Sequence, residues 1–316
     1  MGSREAGSLC HTCSGFFYKG TGMESSRAHV FCFRLALLVA ATLSYGSCAA
    51  LPIFAKGKQV GALQTELINE ASGIVASRKS PGVLWVHNDS GDSPRVFAID
   101  AKGALLGIYQ VEKARLQDWE DIAIGPGPDP NQDYLYIGDI GDNMAKRHSV
   151  IVYRVAEPKV DPNHPLGQAK IGPAEAIELE YPDGPKDAET LMVDPWNRDI
   201  YIISKRDLFS KVYRAAYPQY NKSKTTMVLA AVLPWGLAVG GDISPDGSLI
   251  IVRGPFNASI WQRAKGQELP QAFRGPELKM SLLFELQGEG VCFDSRGQGF
   301  FTVGEGPSTA INYYER

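Results

Sequence analysis

Past residue 55 the chain alternates between short apolar runs, rich in Val, Ile, Leu, Tyr and Phe, and polar knots of Gly, Pro, Asn and Asp. A helical period is nearly absent, so the pattern predicts strands joined by tight turns. Five of the runs stack: "EASGIVAS", "DWEDIAIG", "DAETLMVD", "VGGDISPD" and "QGEGVCFD". Each carries a small or acidic slot, one further residue, then an aliphatic residue and a mostly apolar tail. The slots are Ser72, Glu120, Glu189, Gly241 and Glu289, separated by 48, 69, 52 and 48 residues. The long interval holds two insertions, "GPGPDPNQ" and "PKVDPNHPLGQ". An all-strand repeat near this length predicts a β-propeller.

Every repeat continues alike. A second strand follows ("VLWVH", "YLYIG", "DIYIIS", "LIIVR", "GFFTVG"), then a third ("RVFAID", "VIVYRV", "KVYRAA", "SIWQRA", "INYY"). Four repeats add a fourth strand: "ALLGIYQV", "AEAIELEY", "TMVLAAVL" and "KMSLLFEL". The fifth lacks one, and the spare strand lies at residues 59–67, "QVGALQTEL". The expected fold is therefore an all-β five-bladed β-propeller closed by an N-terminal strand, which removes the open edge. A six-bladed ring is the alternative.

The first strand of each blade lines the channel, and the loop between second and third strands opens on the same face as the approach to that first strand. Side chains two apart on a strand share a direction. Glu70 pairs in this way with Ser72, Asp118 with Glu120, Asp187 with Glu189, and Gln287 with Glu289, while repeat four offers Val239, Gly241 and, one place along, Asp242. A ring of carboxylates needs a cation or retained protons. Oxygen-only ligands suit Ca²⁺, so Ser72, Glu120, Glu189 and Glu289 are the candidate metal ligands. The alternative is a polar, water-filled channel. Zinc is disfavoured because His87, His148 and His164 are scattered.

The loops "HNDSGD" (87–92) and "GDIGDN" (138–143) should meet over the channel mouth. The expected catalytic groups are His87, Asp89 and Asp139, with Asn88, Asp92, Asp142 and Asn143 as ligand contacts. Lys205, Arg206 and Arg253, from the loops of the next two blades, form a basic half suited to an anionic group. The bland alternative is that Asp, Asn and Gly simply make tight turns.

Composition alters this picture at one end of the chain. The chain has 316 residues, 44% hydrophobic and 21% charged, with formal charge −3, and it carries no basic stripe, so nucleic acid is not an expected partner. The first 50 residues differ. Arg27, His29 and Arg34 precede the apolar "LALLVAATLSYG" and the small residues "SCAA", the order of a secretory signal peptide. Met23 would start a signal of ordinary length. Residues 51–316 are then a single exported propeller, secreted or periplasmic, monomeric and without a membrane span; lipid anchoring through Cys48 is the alternative. Cys10, Cys13, Cys32 and Cys48 fall in the removed segment, which leaves Cys292 without a disulfide partner.

"LWVHNDSGD", "DWEDIAIGPGP", "LYIGDIGDN", "DAETLMVDP" and "GGDISPDG" together resemble a family of uncharacterised secreted bacterial β-propeller proteins, from about Glu70 to Arg316. The slots Ser72, Glu120, Glu189 and Glu289 also resemble those of the calcium-dependent apyrases, five-bladed nucleotidases with a central Ca²⁺; Gly241 departs from that pattern. The likeness implies cation-supported binding or hydrolysis of a small anionic ester. The alternatives are a binding propeller without catalysis and, further off, a five-bladed glycoside hydrolase, whose nucleophile motif is missing here.

Overall fold

A computed structural model describes residues 51–316 apart from Leu166 and Lys222. The expected signal segment, with Cys48, lies outside the described residues. The strands form five sheets. Their first strands are Ala71–Ala76, Trp119–Pro126, Ala188–Val193, Gly240–Ile243 and Gly288–Phe293. Each of these touches the first strands of both neighbouring blades, and the last touches the first, so the ring is a closed five-bladed β-propeller.

The alternation in sequence explains the layering. Apolar side chains of the inner and second strands are buried on both faces, because each blade is sandwiched between two others; Pro126, Tyr134 and Phe301 are half-buried exceptions. Trp85, Trp119 and Trp261 fill the wedges between blades, at 0%, 0% and 1% exposure. Tyr153 is buried beside Trp119. Cys292 is buried and unbridged.

Closure comes from the N-terminal strand, at Lys58–Ala62 rather than 59–67. It pairs antiparallel with Ala310–Glu315 at the outside of the last blade. Leu63 N–H still donates to the Thr309 carbonyl at 3.0 Å, after which the chain turns toward the first blade.

Three further differences from the sequence reading have local causes. The insertion between the third and fourth strands of the second blade ends in a strand, Gln168–Ile171, that runs parallel to Leu105–Val111 and gives the first blade a fifth strand. Lys224–Thr226 does the same for the second blade, parallel to Glu175–Glu180. The apolar run "KMSLLFEL" does not stay a strand: pairing stops at Ser281. Leu282 N–H instead donates to the Phe256 carbonyl and Leu283 N–H to the Tyr314 hydroxyl, which pulls the chain out of the sheet and leaves Phe284 and Leu286 exposed.

An inner strand has no neighbour on its axial edge, so its amides need other partners. Two aspartates supply them. Asp121 accepts from its neighbour Ile122 and from Leu191 of the next blade; Asp242 accepts from Ile243 and from Phe293 of the next blade. Both are buried, and burial raises both carboxyls, Asp242 to about 6.

Candidate functional site

The slot residues are made different from the rest of their strands by β-bulges. Pairing skips one residue between Ala71 and Gly73, between Trp119 and Asp121, between Ala188 and Thr190, and between Gly288 and Gly290. The skipped residues are Ser72, Glu120, Glu189 and Glu289. A bulge inserts one unpaired residue and re-aims its side chain. In the fourth blade, where the slot is Gly241, the ladder runs in unbroken register from Gly240 to Ile243.

These bulges bring carboxylates together around the axis. Oxygens of Asp89, Asp118 and Glu120 lie within 4.8 Å of one another, and so do oxygens of Glu120, Asp187 and Glu189. Glu120 belongs to both sets. Ser72 Oγ donates to the Glu120 carbonyl at 2.5 Å and to Glu289 Oε2 at 3.3 Å, so it braces the ring. The Gly141 backbone is pressed against the cluster, and a Cβ there would collide with Glu120 Oε1 and Asp118 Oδ2.

Among the described residues, one ammonium enters this ring. Lys205 Nζ hydrogen-bonds Glu189 Oε1 and lies 3.8 Å from Glu289 Oε1. Its charge does not balance the cluster. Burial, then the neighbouring carboxylates, hold Glu120 well above the usual carboxylate range. Burial and the charges of Asp89 and other acids push Asp118 up to about 6. Burial raises Glu189 despite its lysine, and burial with Glu189 and Glu305 raises Glu289. Glu189 Oε2 is buried and has no hydrogen-bond partner among the described residues.

Other residues expected at the mouth are committed elsewhere. His87 is fully buried, edge-on to Trp119, with Nδ1 at 2.8 Å from the Asn88 carbonyl. Burial lowers its pKa to about 4, so the ring is neutral and shut off from solvent. Asp139 accepts from the amides of Gln117 and Asp118 and pairs with Arg147 at 2.8 Å. In the preceding blade Asn88 has the equivalent role, accepting from the amides of Asn69 and Glu70 while donating to Asp92. Asp92 in turn is paired with Arg95, and Asp142 accepts from the Arg147 amide. These residues tie the loops to the strands, as turn chemistry would.

The expected basic half is likewise spent on partners inside the protein. Arg206 holds Asp187 and Asn143. Arg253 is 0% exposed and pairs with Glu285 at 2.9 Å, while donating to the carbonyls of Gly290 and Gly254. It staples the fourth blade to the fifth and does not face the mouth. Asp118 and Asp187 stand two residues before Glu120 and Glu189, a spacing already visible in the sequence, and join them in the two carboxylate groups although neither is among the expected ligands. Glu285 was missed altogether, because nothing in "KMSLLFEL" distinguishes its glutamate.

The class is thus a five-bladed propeller with an acidic axial funnel. No family model matches the chain and no curated protein matches it. Solved structures with a similar fold include hydrazine synthase of Kuenenia stuttgartiensis (13% identity, 77% of this chain and 94% of that one, TM-score 0.40). They also include a nidogen/laminin complex (13%, 75% and 73%, TM-score 0.42). A third is the Cps50 (Swd1) β-propeller domain of Myceliophteria thermophila (9%, 82% and 99%, TM-score 0.44).

Proposed function

We propose that this chain is an exported propeller that binds a divalent cation in its axial funnel, Ca²⁺ in preference to Mg²⁺, and through that ion a small anionic ester. The observation that carries the reading is the buried, unpartnered Oε2 of Glu189 beside two carboxylate triads that share Glu120. A buried carboxylate oxygen without a partner is costly, and an ion is a partner that relieves several such costs at once. Asp89, Asp118, Glu120, Asp187 and Glu189 would hold it. The donor set is oxygen only, several carboxylates from different directions, which suits Ca²⁺ and not zinc. The likeness of the slots to calcium-dependent apyrases points the same way. A bound ion would supply the positive charge that an anionic ester needs, since Arg206 and Arg253 are already paired.

Binding is favoured over hydrolysis, because two expected acid–base groups, His87 and Asp139, are held in structural contacts. For hydrolysis, Asp89, half-buried at the mouth, would have to give up its place on the ion to take a proton from water.

Calorimetric titration and thermal unfolding with Ca²⁺ and with Mg²⁺ test the cation. Extracellular sites of this kind bind at about 10⁻⁴–10⁻³ M. At a hundred-fold excess over Kd, Ca²⁺ should stabilise the fold by about 2.7 kcal/mol. Glu120→Gln, which breaks both triads, should lower affinity at least tenfold. A wild-type protein indifferent to Ca²⁺, or a Glu120→Gln variant that responds as the wild type does, rejects the reading.

A further inference from the structure

The mouth of the funnel carries an arc of apolar side chains with no partner among the described residues. Leu208 is 84% exposed, Leu237 54%, Phe256 65%, Phe284 80% and Leu286 63%. All five lie on loops that approach or cap the third, fourth and fifth blades on the side of the carboxylate ring. Three of the five are tied to ring residues, two by sequence and one by a backbone hydrogen bond. Leu208 follows Lys205 by three residues, and Leu286 precedes Glu289 by three. Leu237 N–H donates to the Lys205 carbonyl at 3.0 Å, and Phe256 accepts from Leu282 at 3.1 Å. Exposed apolar clusters on a soluble protein mark binding surfaces.

A second observation concerns backbone strain. Leu237 sits at φ 66° and Gln287, two residues before Glu289, at φ 43°. A left-handed backbone is unfavourable for a bulky side chain, and glycine would take the Leu237 position freely. The loop keeps a leucine there and turns it toward solvent. Strain of this sort collects at ligand sites.

We infer that the site takes a single amphiphilic phosphate monoester, its phosphate on the funnel's cation and its alkyl chain along the arc of Leu208, Leu237, Phe256, Phe284 and Leu286. The inference rests on the cation reading above, since the acidic funnel repels a phosphate unless an ion is seated there. It adds the class of ester: one with an apolar tail. An ion at the axis for the head and an apolar arc on one side for the tail together set the ligand's orientation, head to the axis and tail toward blades three to five.

The test uses methyl phosphate and hexyl phosphate as probes, titrated calorimetrically into the whole protein in Ca²⁺, with hexyl phosphate below its micelle concentration. Hexyl phosphate should bind at least tenfold more tightly than methyl phosphate, and binding of both should vanish in EDTA. The triple variant Leu208→Ser, Phe256→Ser, Phe284→Ser should bring the ratio to about one. These side chains are exposed, so the variant should fold, which circular dichroism verifies. Equal affinities for the two probes, or no binding of either by a protein that does bind Ca²⁺, overturn the inference and leave the cation reading standing. Failure of the wild type to bind Ca²⁺ overturns both. Binding to phosphatidic acid vesicles without binding of monomeric hexyl phosphate also overturns it, in favour of a membrane surface.

Discussion

Arg253→Met separates a structural arginine from a ligand-binding one. The guanidinium is fully buried and donates to Glu285 Oε2 at 2.9 Å and to the carbonyls of Gly290 at 3.0 Å and Gly254 at 3.2 Å. Glu285 also accepts from Thr302 Oγ1 and from Asn312 Nδ2. Methionine keeps the aliphatic stem but strands a buried carboxylate and the carbonyls. Breaking a buried pair from one side costs about 3–5 kcal/mol. At roughly 2–4 °C per kcal/mol for a domain of this size, Tm should fall by about 6–20 °C. Removing the stranded charge as well, in Arg253→Met with Glu285→Leu, should recover some of that loss, because the carboxylate no longer needs a partner. Urea unfolding followed by tryptophan fluorescence gives the stabilities, and calorimetric titration gives Ca²⁺ affinity in the same samples. Had Arg253 been an anion ligand, as its place in the repeat suggested, the variant would lose ester binding with stability changed by under about 1 kcal/mol. That result would refute the staple.

Four other outcomes follow from the geometry. Gly141→Ala should weaken Ca²⁺ binding at least tenfold by titration, since its Cβ would displace Glu120 Oε1 and Asp118 Oδ2; unchanged affinity would place the ion elsewhere. Asp242 has its pKa raised by burial from 3.8 to about 6, so its contribution to stability is complete below pH ~4 and is lost as pH rises through ~6. Relative to the wild type, Asp242→Asn should therefore gain about 3 kcal/mol between those limits in urea titrations, and a difference that does not vary with pH would contradict this. Deleting Lys58–Ala62 exposes the edge of Ala310–Glu315 and should produce concentration-dependent association, seen by light scattering; a monomer of unaltered Tm would deny the closure. Leu237→Gly relieves the left-handed backbone and should raise stability by about 1 kcal/mol while reducing hexyl phosphate affinity; a loss of stability would remove the argument from strain.

The ring was legible in the sequence because a repeat is a statement about geometry made several times over. Five slots and one spare strand are enough to specify closure. The chemistry of the loops was legible less well, and the reason is specific. Asp139, Asn88 and Asp242 are polar residues in a site-like pattern, but free backbone amides at strand starts and along the axial edge compete for them. A carboxylate that caps an amide and one that awaits a ligand look the same in one dimension. His87 illustrates the point further: its place on the second strand turns the ring into the wedge against Trp119 rather than toward the mouth.

What tells the two kinds of acid apart is the bulge. Asp121 and Asp242 keep cross-strand partners and spend both oxygens on backbone amides, one in their own strand and one in the next blade; Glu120, Glu189 and Glu289 are the skipped residues of irregular ladders. A bulge interrupts a ladder, so three glutamates and a serine held at four bulges are placed at some cost to the sheet. The exception supports the rule. In the fourth blade a side chain at the slot would meet the Ile251 carbonyl and the Thr190 methyl, and a Cβ on Gly240 would meet the Glu289 carbonyl. There the inner strand runs regular, the slot is glycine, and the strand closes against its neighbours without contributing a carboxylate. The slots are therefore glutamate in the second, third and fifth blades, serine in the first and glycine in the fourth, an asymmetry that an even fivefold repeat would not produce.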